Sequence, residues 1–274
     1  MRGHPAAITT ITMTTSTIMD DEPDGRPEDI DRLPVDLTPT EILESAASPS
    51  SEKAAQLLVW LSPSFPVGSF AFSHGLEWAV HAGHIHDATS TIAWLETLID
   101  HGALRNDAVL AACAWRAART GNEAAIQEIN ELALAMAGSR ERYLEATAQG
   151  NAFIAIVRGA WLTPSLDQML QNVEGDIAYP VAVAVTCAAH EIGLPHMLRF
   201  YTLALVQNLI SATIRLSVIG HTDGQRAIAA LLPAVQKLSA FAMSATLDDL
   251  GNAAFQSDIA SMRHETQYSR LFRS

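Results

Sequence analysis

The stretch DATSTIAWLETLIDHG, residues 87–102, decides the fold class. Asp87 is a residue type that caps helix starts by accepting hydrogen bonds from first-turn backbone N–H groups. Ile92, Leu95, Leu98 and Ile99 then recur at three- and four-residue spacing, the period of one buried helical face. Gly102 closes the segment as a C-cap. The same punctuation repeats outward. Asp107 is expected to start a helix running through Cys113 to Arg119, with Gly121 as its stop, and Asn122 opens another towards Ala137. Ser139 to Ala160 reads as one long helix with Tyr143, Ala146, Phe153, Ile156 and Val157 on its apolar side. Thr163-Pro164 and Tyr179-Pro180 each place proline in the first helical turn, where its missing N–H is harmless; the second of these helices should end at Gly193. Pro195 begins a helix expected to run to Ile219, and Asp223 begins one containing Pro233, which deletes a backbone bond and predicts a kink. No segment alternates with a period of two between hairpin turns. The expectation is an all-α, single-domain bundle of about eight to ten helices.

Charge divides the chain differently. Residues 1–53 carry 11 acids and 4 bases, and residues 54–274 carry 19 and 13, within a net charge of −13. The first segment is rich in Thr, Pro, Ser and acids and has no sustained period, so it is expected to be a disordered leader. The expected domains are that leader (1–53), a helical domain (54–257) and a C-terminal tail (258–274). No Lys/Arg-rich stripe is available to replace counterions on phosphates, which argues against nucleic acid. No apolar run reaches the roughly 18 uncharged residues of a spanning helix; Tyr179–Ala189 is about half that length. Cys113 and Cys187 stand far apart, as two reduced core thiols would. With no clean signal-peptide core near Met1, the expected location is cytoplasmic.

Enzymatic motifs are missing. The only lysines, Lys53 and Lys237, do not lie in a Gly-x-x-x-x-Gly-Lys-Ser/Thr loop, so GTP or ATP hydrolysis of that kind is excluded. No Glu is followed by His three residues later, which excludes the di-iron helical pattern, and His190-Glu191 lacks the second histidine of a zinc signature. Ser73-His74 are adjacent, and neighbouring side chains on a helix point apart. His81, His84 and His86 lie within six residues and are weak candidates for a metal site, but Gly83 and Asp87 place them on an exposed turn. No cofactor is expected.

Three segments go beyond a generic bundle: LSPSFPVGSFAFSHGLE (61–77), Arg215-Leu216 followed by GHTDGQ (220–225), and DIASMRHETQYSRLFRS (258–274). Together, in this order, they resemble the UreF family of urease accessory proteins across about residues 54–274. The closing HETQYSRLFRS is the most specific part. Ser69 stands where the family usually has a second glycine, and His221 where glutamine is expected. The resemblance implies a non-enzymatic, dimeric helical adaptor that binds UreD (also called UreH) and the GTPase and nickel carrier UreG, and docks on urease apoprotein for nickel insertion. It marks Pro66, Gly68, Phe70, Gly75, Glu77, Arg215, Asp223 and Gln225 as structural or interface positions.

The tail is informative by itself. Met262, Tyr268, Leu271 and Phe272 are large and apolar, and Arg263, His264, Glu265 and Arg270 are interleaved with them. Such residues anchor interfaces, so docking into a partner is the expected role; packing on the chain's own domain is the alternative. Arg215, between Ile214 and Leu216, needs a carboxylate or carbonyl partner, and its loss would cost about 3–5 kcal/mol if that pair is buried. Two other functions remain open: regulation of a partner's GTP hydrolysis, and carriage of a metal or small ligand on the His81/His84/His86 turn.

Overall fold

In the computed structural model, residues 51–171 and 173–273 are described. They form α1 (Ser51–Trp60), α2 (Leu76–His81), α3 (Ala88–His101), α4 (Ala103–Arg119), α5 (Glu123–Ala135) and α6 (Arg140–Ala160). The chain continues through α7 (Pro164–Met169), α8 (Tyr179–Ala189), α9 (Leu194–Arg215), α10 (His221–Ala242) and α11 (Phe255–His264). Two 3-10 turns are added at Ser69–Ala71 and Leu247–Asp249, and no strand occurs among the described residues. The chain is an all-α bundle.

Caps set the boundaries where the sequence marks them. Asp87 accepts from Ser90 N at 2.7 Å while the Ser90 hydroxyl accepts from Asp87 N at 3.0 Å, a reciprocal box at the start of α3. Asn122, Ser139 and Thr163 cap α5, α6 and α7 by accepting from one first-turn backbone N–H each. Four expected boundaries are corrected. Helix α8 ends at Ala189, with Glu191 in the left-handed region (φ 55°), short of Gly193. Helix α4 begins at Ala103 because Gly102 ends one helix and opens the next, which leaves Asp107 in the second turn. Helix α9 ends at Arg215, followed by Ser217 in the left-handed region (φ 61°). Helix α10 starts at His221 and is continuous through Pro233.

Helix α8 is the centre. Residues 179–188 are all buried, as in a helix apolar on every side, and α8 packs between α4 and α6. Small residues make that approach close: a Cβ on Gly150 of α6 would lie 1.9 Å from the Ile177 carbonyl oxygen. The loop before α8 is pinned by Asn130, which donates to Asp176 O (2.9 Å) and accepts from Ala178 N (2.8 Å). Helix α9 pairs with α10, and α10 with α3. By length and composition α9 alone among the described helices could cross a membrane, but Arg199 interrupts it and 56% of its apolar window is buried inside the fold. Cys113 and Cys187 are free and buried.

The expected leader lies outside the described residues except for Ser51–Lys53, which already belong to α1. Lys53 ties that helix down by donating to the Glu191 carbonyl at 2.7 Å.

Candidate functional site

The first and last of the segments singled out by the sequence meet in space, and Arg215 of the second joins them. Phe65, Val67 and Phe72 bury into the core, and Gly68 turns the chain in the left-handed region; Pro66 is exposed on that turn. His74 and Gly75 follow, both at positive φ (55° and 74°). At Gly75 the backbone of α11 passes so closely that an added Cβ would sit 2.5 Å from Ser261 N. This contact seats the tail helix on the start of α2.

Below it lies a buried ionic network that fixes the tail. His264 is fully buried, with Nδ1 2.7 Å from Glu141 Oε2 and Nε2 3.0 Å from Glu77 Oε2. Both ring nitrogens face carboxylate oxygens, and only the imidazolium form carries two donors. The other Glu77 contacts also come from the tail: Leu271 N donates to Oε1 at 2.7 Å and Phe272 N to Oε2 at 2.9 Å. Arg270 donates to Glu141 Oε1 at 2.7 Å. Glu265 returns the contact by accepting from Arg140 N at 2.9 Å, beside the Ser139–Ser261 hydroxyl pair at 2.6 Å. Both carboxylates lie in first helical turns; for Glu141, on the long helix α6, the positive end of the helix dipole favours the charge.

Arg215 completes the convergence. Its guanidinium lies 4.2 Å from the centroid of the Phe272 ring and donates to the Phe70 carbonyl, so the end of α9 links the first segment to the last. The expected carbonyl partner is present, but Arg215 is exposed, which removes the premise of a buried pair. Arg215→Ala is therefore expected to cost only about 0.5–1 kcal/mol, the range of an exposed cation–π contact. Thermal melting checks this, and a loss several times larger would show that Arg215 supports the whole tail.

The expected tail residues separate into two sets. His264 (0% exposed) and Phe272 (3% exposed) belong to the chain's own core, which corrects the reading of both as docking residues. Met262, Tyr268 and Leu271 are exposed, as is Phe70 at 64%; Arg263, Glu265 and Arg270 also lie on the exposed side. Asp223 bonds Arg226 within α10 (2.8 Å), and Gln225 is exposed there. Neither is hydrogen-bonded to the tail. His81, His84 and His86 ring an exposed turn. Among the described residues no group of three His, Cys, Asp or Glu side chains is arranged to hold a metal ion.

One set of residues was missed from the sequence. The inner face of α6 is polar over its first half, with Glu141, Glu145 and Gln149 buried while Tyr143 and Ile156 are exposed. Glu145 accepts from Arg142 Nη1 (2.5 Å), His74 Nε2 (2.8 Å) and Gln149 Nε2 (3.1 Å). Asp107 stands beside this group. Burial, more than any other influence, holds its carboxyl above the usual 3.8; Arg142 and then His74 pull it down, and Glu145 pushes it up. A folded-state pKa above the unfolded value means that charged Asp107 opposes folding. Stability is lost as pH rises from about 3.8 through the folded pKa. Asp107→Asn should therefore stabilise the chain by about 1 kcal/mol at neutral pH, a rise of about 2–4 °C in melting temperature. The gain should vanish below the unfolded value; a gain that persists in acid would refute this account.

Comparison with known proteins gives the family. The UreF family model matches residues 85–232. The chain is 50% identical over 235 residues to the urease accessory protein UreF of Rhodopseudomonas palustris (strain HaA2), covering 84% of this chain and 99% of that one. It is 48% identical over 222 residues to the UreF of Methylobacterium radiotolerans, covering 81% and 97% of the two chains. With that of Xanthobacter autotrophicus the identity is 50% over 218 residues, covering 80% and 90%. An all-α bundle of this helix order, with half its residues shared with such relatives over nearly their whole length, belongs to the UreF family.

Proposed function

We propose that the chain is a non-enzymatic adaptor of urease maturation, working in the cytoplasm as a homodimer that bridges UreD and UreG for nickel insertion into urease apoprotein. The relatives' name, urease accessory protein, supports the pathway. The observation that carries the adaptor role is the surface where the first and last segments converge on Arg215: Phe70, Tyr268 and Leu271 stay exposed on backbone held from beneath by Glu77, Glu141 and Arg215. Apolar side chains on a preorganised backbone bind with little further ordering cost. The absence of a lysine-bearing phosphate loop supports assigning GTP hydrolysis to the partner.

Co-purification of tagged chain with UreD and UreG tests the reading. Tyr268→Ala and Leu271→Ala are each expected to weaken the UreD complex by about 1–2 kcal/mol if they are hot spots, while leaving the melting temperature of the free chain unchanged. Full-strength binding by the double variant would place the partner surface elsewhere. Turnover of GTP by the chain purified without UreG would overturn the adaptor reading.

A further inference from the structure

A partly open pocket of about 80 Å³ lies where the loop before α2 meets α4, α6 and α11. Its walls include His74, Asn106, Asp107, Arg142, Gln149 and Ser261. At roughly 30 Å³ per water in the liquid, the space suits a group of only a few heavy atoms.

The polar groups around it are unevenly matched. Glu145 is satisfied by Arg142, His74 and Gln149. With Nε2 turned to that carboxylate, the other ring nitrogen, Nδ1, is an acceptor whenever the ring carries a single proton. His74 is only 5% exposed, and Nδ1 has no hydrogen-bond partner. The Asp107 carboxylate makes no hydrogen bond or ion pair with any described residue, although it lies within electrostatic reach of Arg142, His74 and Glu145. Outside the lining, the Tyr201 hydroxyl, which also feels Asp107, is buried without a partner. Two of these three unmatched groups can only accept. Asp107, Glu145 and Asp258 border the space against one guanidinium and one imidazole, so acids outnumber bases and the site favours a positive guest. A metal ion would need converging ligands, and the described residues offer no group of three. A cation that brings its own N–H donors meets the remaining requirements.

We propose that this cavity binds a small protonated amine, ammonium being the smallest, which donates to Asp107 and to His74 Nδ1. Ser261 and Asp258 of α11 line the same space, so an occupied cavity braces the helix that carries the tail. The inference is independent of the partner assignment above.

The test compares melting of the full chain in equal concentrations of ammonium, potassium and sodium chloride. Potassium matches ammonium in charge and approximate size but has no N–H. Ammonium at about ten times its Kd should raise the melting temperature by about 3–6 °C over both other salts. Amide exchange across 255–264 should slow in ammonium and not in potassium, a readout that requires no variant. Asp107→Asn should lose the ammonium increment, whereas Gln225→Ala should keep it. Equal melting in ammonium and potassium would overturn the proposal, and so would an increment that survives Asp107→Asn. A rise produced by sodium formate over sodium chloride would show that Nδ1 is a donor seeking an anion, and would overturn it equally.

Discussion

Glu77→Ala is expected to unseat the tail and lower stability by about 3–5 kcal/mol, the cost of removing one partner from a buried, charge-bearing cluster. In a body of this size that corresponds to about 10 °C in melting temperature. The size follows from the number of dependants. Glu77 is buried, and it accepts from His264 Nε2, Leu271 N and Phe272 N. Alanine leaves all three donors without an acceptor, and buried donors left unmatched lose their full solvation. The chain can respond by releasing residues 265–273 to water, which forfeits the burial of Phe272. Either response exposes the tail, so amide exchange at Leu271 and Phe272 should accelerate together with the fall in melting temperature. Glu77→Gln should retain part of the stability, since its one oxygen can still accept while its amide opposes the other donors. Unchanged melting and unchanged exchange in Glu77→Ala would mean that the tail is held by something else.

Gly75→Ala should be comparably severe through a different cause. Its φ of 74° is costly for a residue with a Cβ, at about 1–2 kcal/mol. The added methyl would also lie 2.5 Å from Ser261 N, 2.6 Å from Ser261 Cα and 2.9 Å from Ala260 C. These are backbone atoms of a packed helix and cannot swing aside as a side-chain tip could. Overpacking of this kind adds about 1–3 kcal/mol, for a total of about 2–5 kcal/mol. The lesion is local, so far-ultraviolet circular dichroism should change little while α11 loses exchange protection. Gly68→Ala is the control: Gly68 has a similar φ of 73° but no atom within 4 Å of an added Cβ. If both variants lose the same stability, backbone strain alone accounts for Gly75, and the close approach of α11 contributes nothing.

These expectations also show where the sequence was readable. Side-chain caps such as Asp87, Asn122, Ser139 and Thr163 act within three residues, so local chemistry was enough to place the helix starts. Helix α4 escaped because Gly102 opens it without a side-chain cap, and Asp107 offered a false start. The inner face of α6 escaped because a hydrophobic period cannot reveal a buried stripe of carboxylates and amides. Glu141, Glu145 and Gln149 do recur every four residues, and that spacing was the available signal. Tyr268 and Leu271, singled out from their chemistry as docking side chains, are exposed. His264 and Phe272 were not legible as core, since their receptor, Glu77, is remote in sequence and nothing near the tail announces it.

That remoteness has a kinetic consequence during biosynthesis. His264 follows Glu77 by 187 residues, and the Leu271 and Phe272 amides follow it by 194 and 195. At translation rates of about 5–20 residues per second, Glu77 waits about 10–40 s before its donors exist. Through that interval both carboxylates must remain hydrated or find temporary partners while the helices between them pack. The layer joining α2, α6 and α11 thus cannot close until residues 264–272 have been made, and a ribosome stalled short of His264 holds a bundle in which Glu77 lacks its three tail donors.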